Sequence, residues 1–296
     1  LYFYGRFHQI VLSADGRLIQ PTHLYEAATP ERAALQEAND LRRILLDDPL
    51  NGQNLMPLSF ARGGGPFAVS PFNILRAGDT VGNVTGVLNY TFGGDPISSP
   101  NAWRVRPTTT VMPDFQAVNE RPAPIARTAP LRVGSLNLLN FFISFGTNGC
   151  RGGLEGAVMD CRGALSQADF EGRQVPKTVQ ALLKLDADII AINEIENDGY
   201  GTTSAIQKLA DSMNAIAGAN TWTFVDPDAA LAYTDTLGTD AIKVGILYKP
   251  ASVTPLWIDT LNHPDFVYVG ETGPRNRAAL ALAFQDHYGA EMIVVV

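Results

Sequence analysis

Two short apolar segments decide how this chain folds: LRVGSLNLLN at residues 131–140 and ADIIAINEIEN at residues 187–197. Each is typical of a β-strand that ends in a polar residue, Asn137 in the first and Glu194 in the second. Between them lie a glycine-rich loop and a segment with helical spacing, so the order is strand, loop, helix and strand. The helix is indicated by Val175, Val179, Leu182 and Leu183, and it should end near Asp186.

Strands joined through a helix usually pair in parallel with a right-handed crossover. Parallel pairing places both carboxyl ends at one edge of the sheet, so Asn137 and Glu194 should meet there, where open α/β sheets bind ligands. The first segment is apolar on both faces, which predicts a central strand with Asn137 on its inward face. An inward amide needs partners or a ligand. A core asparagine that neighbouring backbone satisfies is the alternative.

Glu194 follows a run that is too apolar to hold a buried carboxylate cheaply. An ionised acid buried without a partner shifts its pKa or costs several kcal/mol. A divalent cation is the natural partner, because Mg2+ is held by one or two carboxylates together with waters and phosphate oxygens. The alternative is that Glu194 has left the sheet and is solvated or paired with a lysine.

The only cysteines, Cys150 and Cys161, lie in the glycine-rich loop NGCRGGLEGAVMDCRG at residues 148–163. We predict a disulfide, which would stabilise the fold by roughly 2–3 kcal/mol in the chain-entropy model and implies an oxidising compartment. Zinc is a rival, but two cysteines with no nearby histidine are an incomplete ligand set. Two unpaired thiols are the remaining alternative.

Length and charge limit the classes of function. At 296 residues, with 46% apolar and 18% charged content, the chain suits one large domain or two ordinary ones. No apolar run approaches the ~20 residues that span a bilayer, and Leu1 starts the sequence without a leader, so we expect the true N-terminus to be missing. The net charge of −8 argues against a general basic field, so a phosphate-ester substrate would need local arginines and a metal.

The N-terminal part predicts a hairpin followed by a helix. LYFYGRFHQIVL, the turn at residues 13–16 and RLIQP are typical of a β-hairpin. Thr29 and Pro30 suit the N-cap and first position of a helix. Its apolar face, which we expect to pack on the sheet, would contain Leu35, Ala38, Leu41 and Leu45.

The segments that follow predict loop, strands and linker. Residues 49–71 are rich in proline and glycine and predict a loop, and AGDTVGNVTGVLNYTF predicts a twisted strand pair broken by glycines. Residues 112–130 contain four prolines and show little periodicity, which predicts a linker.

Four motifs follow one another in the second half: SLNLLNFF at 135–142, DADIIAINEIENDGYG at 186–201, TDAIKVGILYKP at 239–250 and RNRAALALAF at 275–284. In this order they resemble the DNase I-like endonuclease/exonuclease/phosphatase superfamily, most closely its secreted bacterial extracellular nucleases. The resemblance runs from Leu131 to the end of the chain. It implies a two-sheet sandwich flanked by helices, of mixed α/β or α+β class, that hydrolyses phosphoesters with a divalent metal.

The resemblance also implies roles for single residues. Asn137 matches the asparagine that ends the first strand and helps to set the metal and phosphate, and Glu194 matches the metal-binding glutamate. Arg277 matches an arginine that contacts phosphate, a role that its planar fork suits; a surface residue, as we expect of the neighbouring Arg275, is the alternative. Asp240 occupies the position where DNase I itself has an active-site tyrosine. We include it among the catalytic candidates only because of this position.

We expect three further basic residues and one helix to have no part in the active site. We expect Lys243, Lys249 and Arg132 to be solvated and not to bind phosphate. A helical stripe that ends at Gly218 predicts a core helix, and it consists of Ile206, Leu209, Ala210, Met213 and Ala217.

Residues 77–110, with GDTV, VTGVLNY and WRVRP, resemble the small OB-type β-barrel found ahead of the nuclease domain in such nucleases. OB barrels bind single strands through aromatic side chains on a basic face, a role open to Trp103, Arg104 and Arg106. The alternative is that Trp103 plugs the end of the barrel. The predicted organisation is a mostly β, OB-like module at 1–111, a proline-rich linker at 112–130 and the first half of the superfamily domain at 131–296.

The superfamily's chemistry also needs a phosphate-stabilising histidine, an Asp-x-Asn pair and an Asp-His pair whose histidine activates water. The downstream histidines, His263 before a proline and His287 in the turn QDHYGA, do not suit these places. The final EMIVVV predicts a buried strand without covering neighbours. We therefore expect a fragment that carries half of an active site and has little or no activity by itself.

The predicted function of the intact protein is metal-dependent hydrolysis of phosphodiester bonds in DNA, with RNA as an alternative substrate. The predicted metal is Mg2+ or Mn2+, with Ca2+ as a further candidate. We expect a secreted, periplasmic or cell-surface protein of bacterial type, a monomer without a membrane-spanning segment. Phosphomonoesterases and lipid phosphodiesterases share the scaffold and stay as alternatives. A different class is a non-catalytic nucleic-acid-binding protein, in which the β module binds and the second domain is degenerate.

Overall fold

The computed structural model of the chain describes residues 3–64, 73–97, 99–108, 113–268 and 275–296. Two compact units make up the chain, Leu1–Ala123 and Pro124–Val296. Their class is mixed α and β, with sheets flanked by helices, as the sequence predicts. Within the described residues, no helix is long and apolar enough to cross a membrane.

The first unit is built on a four-stranded sheet with the strand order β1-β2-β5-β4, and a two-stranded sheet joins β3 to β6. Its apolar core contains Ile10, Leu46, Phe60 and Phe115. The elements are α1 (Tyr4–Phe7), β1 (Ile10–Ser13), a 3-10 turn (Pro21–His23), α2 (Pro30–Leu41), β2 (Arg43–Leu46), β3 (Thr80–Val81), β4 (Gly86–Thr91), β5 (Ala102–Pro107) and β6 (Phe115–Gln116).

The predicted N-terminal hairpin is wrong. β1 pairs antiparallel with β2, about thirty residues further along, and not with the segment after the turn. The guanidinium of Arg42 donates to the carbonyl oxygens of Asp15 and Arg17 at 3.3 and 3.1 Å, which holds that segment outside the sheet. Alternation fixes which face of a strand is buried, but it does not choose the partner strand.

Helix α2 begins as predicted, with Thr29 accepting a hydrogen bond from the backbone of Arg32 and Pro30 at its first turn. The predicted apolar face is wrong at its far end. The helix stops at Leu41, which is 83% exposed, and Leu45 lies in strand β2. Leu45 pairs with Val11 on one side and Arg104 on the other, so the last residue of the predicted helical face belongs to the sheet.

The strands of the glycine-broken segment form, but they do not pair with each other. β3 pairs with β6, and β4 pairs with β5, the predicted WRVRP strand. Strand β6 lies inside the stretch predicted to be linker, so the first part of that stretch belongs to the first unit. Residues 65–71 of the predicted loop and residue 112 of the predicted linker lie outside the described residues. The OB-barrel interpretation of this unit stays a prediction.

The second unit contains a four-stranded sheet with the order β11-β12-β10-β7, a three-stranded sheet with the order β13-β14-β15, and a ribbon of β8 and β9. Its elements are β7 (Val133–Phe141), β8 (Cys150–Arg151), β9 (Val158–Met159), α3 (Gln167–Asp169), a π-helical turn (Phe170–Gln174), α4 (Val175–Lys184), β10 (Ile189–Glu196), α5 (Ala205–Ala217), β11 (Thr223–Phe224), α6 (Pro227–Leu231), β12 (Ile242–Tyr248), β13 (Val253–Leu261), α7 (Pro264–Val267), β14 (Ala279–Asp286) and β15 (Glu291–Val295).

The two larger sheets face each other, and helices cover the outer face of the first. Ile190 and Ile192 of β10 pack with α4 and α5, whose buried stripe includes the predicted Leu209 and Met213. The alternate residues of β10, with Val244 and Ile246 of β12, pack against Leu280, Leu282 and Phe284 of β14. This is the predicted sandwich of two sheets with helices on its flank, and it leaves β10 buried on both faces.

Strand β7 runs parallel to β10, as predicted, with Val133 opposite Ile189 and Asn137 opposite Asn193. Its predicted central place is wrong for the described residues, in which β7 pairs only with β10 and is an edge strand. Val133, Ser135 and Asn137 are exposed, since only the other face of the strand packs on the helices. The last strand, β15, is likewise half-exposed and not buried, with Ile293 and Val295 outward.

Candidate active site

The backbone is strained where β7 and β10 end. Their register holds as far as Asn137 opposite Asn193 and resumes at Phe141 opposite Ile195. In the interval, Glu194 has φ +61°, and Leu139 and Asn140 have φ of +55° and +56°. Left-handed backbone costs a side-chain-bearing residue roughly 1–2 kcal/mol, and such strain concentrates at functional sites. The two irregular segments lie side by side at the edge that the sequence identified.

Glu194 is directed toward the end of β7. Its Oε2 accepts a hydrogen bond from the backbone N–H of Asn140 at 3.2 Å. Asn137 is exposed, which corrects its predicted inward position, and its Oδ1 accepts from the N–H of Leu139 at 2.8 Å. Gln174 donates to the carbonyl oxygen of Asn140 at 3.0 Å and so holds the bulge from the helix side. Asn137 and Glu194 are thus neighbours on adjacent strands, joined through the backbone at residues 139–140.

The side-chain oxygen atoms at this edge are of the type that hard cations such as Mg2+ bind. Glu194 offers a half-buried carboxylate that forms no ion pair within the described residues, and the amide oxygen of Asn137 has a second lone pair. Mg2+ commonly takes one or two such ligands and completes its shell with water and phosphate oxygens. Across the described ranges, no group of three or more His, Cys, Asp or Glu side chains converges as a metal site. The protein's own share of the ligands would therefore be small.

Asp240 and Arg277 meet at the same edge. Asp240 precedes β12, whose first residue, Ile242, pairs with Glu196 at the end of β10. Arg277 precedes β14 in the other sheet, and its Nε donates to Asp240 Oδ2 at 3.1 Å. A third residue that the sequence did not single out, Arg162, places a guanidinium nitrogen 3.7 Å from Asp240 Oδ1. One partly exposed carboxylate therefore lies between two arginines.

The residues after Glu194 each anchor a different loop, a role the sequence did not reveal. The buried carboxylate of Glu196 accepts from the N–H groups of residues 143 and 144 at 2.7 and 3.1 Å. Asn197 donates to the carbonyl oxygens of Gly238 and Asp240 at 2.8 and 3.0 Å. Asp198 accepts from the N–H of Ala205, the first residue of helix α5, at 2.8 Å. Only the crowding of polar residues in NEIEND hinted at these contacts.

Asp198 and Lys243 both have strongly shifted pKa values, in opposite directions. Burial, and secondarily the Glu196 carboxylate, raise the pKa of Asp198 to about 7, against the opposing charge of Lys243. Burial lowers the pKa of Lys243 to about 8. The prediction that Lys243 is solvated is wrong, because its side chain is 1% exposed. Its Nζ donates to the carbonyl oxygen of Gly199 at 2.5 Å and lies 3.6 Å from the centre of the Tyr200 ring.

The other two cations predicted to be solvated also have partners. Lys249 lies 4.9 Å from the centre of the Trp222 ring, and its Nζ is 4.0 Å from a carboxylate oxygen of Asp188. Arg132 donates to the carbonyl oxygen of Leu185 at 3.2 Å and pairs with Asp186 at 3.4 Å. Both serve the fold at the opposite end of the strands from Glu194.

The predicted disulfide between Cys150 and Cys161 is present. Cys150 is buried against Ala241 and Ile242, at the start of β12. Asp235 accepts from the N–H groups of Leu154 and Glu155 at 2.8 and 2.9 Å, and so holds the loop between the cysteines. The cross-linked loop is therefore fixed beside Asp240.

The other candidates lie elsewhere. His263 caps the short helix α7, and His287, in the turn between β14 and β15, contacts the carbonyl oxygen of Ala251; both are exposed. In the first unit, Trp103 is 57% exposed and stacks 5.2 Å from Tyr90, so it does not plug a barrel.

The three residues proposed for a basic aromatic face do not share one. Arg104 is fully buried, with Nη1 donating to Asp47 Oδ2 at 2.9 Å, and Arg106 reaches the same oxygen at 3.3 Å. Strand alternation places both arginines on the face opposite to Trp103.

Comparisons with protein-family models and with curated proteins found no match. Among solved structures, an endonuclease/exonuclease/phosphatase family protein from Bacteroides thetaiotaomicron is similar over 56% of this chain and 49% of its own, with 11% identity and a TM-score of 0.32. The human Nocturnin catalytic domain with bound sulfate matches 56% of this chain and 48% of its own, at 13% identity and TM-score 0.32. A mannosyl-6-phosphatase from B. thetaiotaomicron matches 56% and 50%, at 13% identity and TM-score 0.33. The chain spans about half the length of these structures.

Proposed function

We propose that the second unit belongs to a metal-dependent phosphoester hydrolase of the DNase I-like type, and that the intact protein is a secreted nuclease that cleaves DNA. The observation that carries the proposal is Glu194: an acidic side chain on strained backbone, at the carboxyl edge of a parallel strand pair. The left-handed backbone does not require an acid there, because glycine would adopt the same φ without strain.

The surrounding residues suit phosphate chemistry. Glu194 and Asn137 would hold a divalent ion, which when bound supplies positive charge to a phosphate. Arg277 donates through a planar fork that matches phosphate oxygens, and Asp240 fixes the orientation of that fork. The disulfide supports an oxidising location, consistent with secretion.

Mn2+ binding to the 296-residue chain tests the metal role directly. Glu194→Gln keeps the size of the side chain and removes its charge, and it should weaken binding about tenfold or more. Glu155→Gln, which removes an exposed carboxylate from the cysteine loop, is the matched control and should bind as the wild type does. Equal binding by Glu194→Gln and the wild type would sink the assignment.

A second variant separates function from folding. Glu194→Gly should relieve the left-handed strain and raise the free energy of unfolding by about 1 kcal/mol, while it abolishes Mn2+ binding. A destabilised variant would mean that the carboxylate serves the fold.

Catalysis is measured on the protein as it is expressed from its own gene, with plasmid DNA as substrate. We expect Mg2+-dependent cleavage that Glu194→Gln abolishes. Phosphomonoester and phospholipid substrates, assayed in parallel, address the alternatives within the superfamily. Preference for either over DNA would replace the nuclease proposal.

One observation favours a second function, nucleic-acid binding by the first unit. Tyr90 and Trp103 present neighbouring exposed rings on β4 and β5, and such rings stack on bases. Oligonucleotide binding that survives EDTA and is lost in Trp103→Ala would support it. Arg106 is no longer expected to contribute, because it faces Asp47.

A further inference from the structure

Arg162 is connected to Glu194, the candidate metal ligand, by a short chain of contacts through Gly163 and Asn140. It follows Cys161 of the disulfide and precedes Gly163, whose backbone packs on the end of β7. A Cβ on Gly163 would lie 2.8 Å from the carbonyl oxygen of Asn140. Asn140 in turn donates its N–H to Glu194. Residues 161–163 therefore border the bulge that carries Glu194.

The charges around Asp240 leave a positive excess. Arg162 and Arg277 share this single carboxylate, at 3.7 and 3.1 Å, and both arginine side chains are 48% exposed. At 3.7 Å the contact of Arg162 is an ion pair without a hydrogen bond, so its donors stay available to a ligand. In a chain of net charge −8, two half-exposed guanidiniums that share one carboxylate are a local site for an anion.

We infer that Arg162 binds a phosphate group of a nucleic-acid strand beside the one that Arg277 contacts, and that the Cys150–Cys161 disulfide holds it in place. The ligand class is a phosphodiester backbone, in which successive phosphates are spaced along a chain. This inference rests on the proposed function of the same site. The cross-link restricts the backbone at Cys161, so less freedom is lost when the guanidinium engages the ligand.

The chain provides a matched control. The tripeptide Cys-Arg-Gly occurs twice, at residues 150–152 and 161–163, once at each end of the disulfide. Arg151 is exposed like Arg162, but its Nη1 donates to the carbonyl oxygen of Gly156 within its own loop, at 3.2 Å. Arg151→Ala and Arg162→Ala therefore remove the same charge from equivalent places relative to the cross-link.

The experiment measures binding of a short fluorescein-labelled oligothymidylate to the 296-residue chain by anisotropy, with Mg2+, over a range of salt concentrations. Arg162→Ala should weaken binding about five- to tenfold, which lies between the values for a charged hydrogen bond and for an exposed ion pair. It should also lower the slope of log K against log salt by about 0.7, the value for one contact to a single strand. A purely structural role would not change that slope. Arg162→Lys should keep the slope and lose part of the affinity.

The outcomes separate this inference from the proposed function. Loss of affinity and slope in Arg162→Ala and Arg277→Ala, but not in Arg151→Ala, supports it. Loss in Arg277→Ala alone, or equal loss in the two Cys-Arg-Gly variants, overturns the role of Arg162 and leaves the hydrolase proposal standing. Absence of binding by the folded wild type counts against both. Trp103→Ala measures any contribution from the first unit.

A double-mutant cycle tests the disulfide. Cys150→Ser/Cys161→Ser should reduce affinity by no more than Arg162→Ala does, and the variant that combines all three changes should bind as Arg162→Ala does. Additive losses would refute positioning by the cross-link. If the double serine variant does not fold, mild reduction of the wild-type chain provides the same comparison.

Discussion

Replacing Asp198 with asparagine should remove a pH-dependent loss of stability from the second unit. Burial and the Glu196 carboxylate raise the pKa of Asp198 from 3.8 to about 7. Between these values the folded chain keeps a proton on Asp198 that the unfolded chain has lost. The proton-linked stability is therefore complete below the unfolded pKa and is lost as pH rises through the folded one.

The size of the effect follows from the shift. About three pKa units, at about 1.4 kcal/mol each, set an upper limit of about 4 kcal/mol. The side chain keeps some contact with solvent, so we expect about 2 kcal/mol. Asparagine resembles the protonated acid and can still accept from the N–H of Ala205. Asp198→Asn and the wild type should thus be similarly stable at low pH, and the variant should be the more stable at neutral pH.

Urea unfolding at a series of pH values measures this difference. Trp222 is 3% exposed and lies in the core beside α5, so its fluorescence reports on the second unit. Asp211→Asn, which removes an exposed carboxylate from α5, is the control and should differ from the wild type by the same amount at every pH. Parallel stability curves for Asp198→Asn and the wild type would refute the reasoning.

Three further predictions concern other buried or crowded groups. Lys243→Met should abolish a rise in stability between pH 8 and 10.5, because the pKa of Lys243 is lowered to about 8 in the folded chain; pH-dependent urea unfolding measures it. Asp47→Asn should destabilise the first unit by about 3–5 kcal/mol, since it leaves the fully buried Arg104 without its counter-charge, and a preserved unfolding midpoint would contradict this. Gly163→Ala should cost about 1–3 kcal/mol and weaken oligothymidylate binding, because its Cβ would lie 2.7 Å from the Cβ of Phe142; unchanged thermal unfolding would contradict the clash.

Local signals predicted elements whose partners are close in sequence. Thr29 with Pro30 set the start of α2, and periodicity set α4 and α5, because caps and helical faces are properties of a few consecutive residues. The parallel pair β7 and β10 followed from connection rules that allow few arrangements. The hairpin failed because the partner of β1 lies beyond α2, and alternation contains no information about distant partners.

The candidate site was predictable in position but not in its contacts. Strand ends placed Asn137 and Glu194 at one edge, yet the exposure of Asn137 depends on β7 being an edge strand of the described sheet. The charge of Lys243 predicts a solvated side chain. The side chain is buried because the loop after β10 contacts it, with the carbonyl oxygen of Gly199 accepting from its Nζ. Arg162 had no signal at all, because its importance depends on Asp240, far along the chain.

The end of β10 explains why strain and buried acids occur together in this unit. The four polar side chains after Asn193 each hold a separate segment: Glu194 the bulge of β7, Glu196 the turn after it, Asn197 the loop before β12 and Asp198 the start of α5. A site that must be precise to about 0.5 Å needs such support from rigid elements. The raised pKa of Asp198 is one cost of collecting these acids at one buried strand end. We therefore expect Asp198→Asn, which keeps an acceptor for the N–H of Ala205, to gain stability without changing the geometry around Glu194.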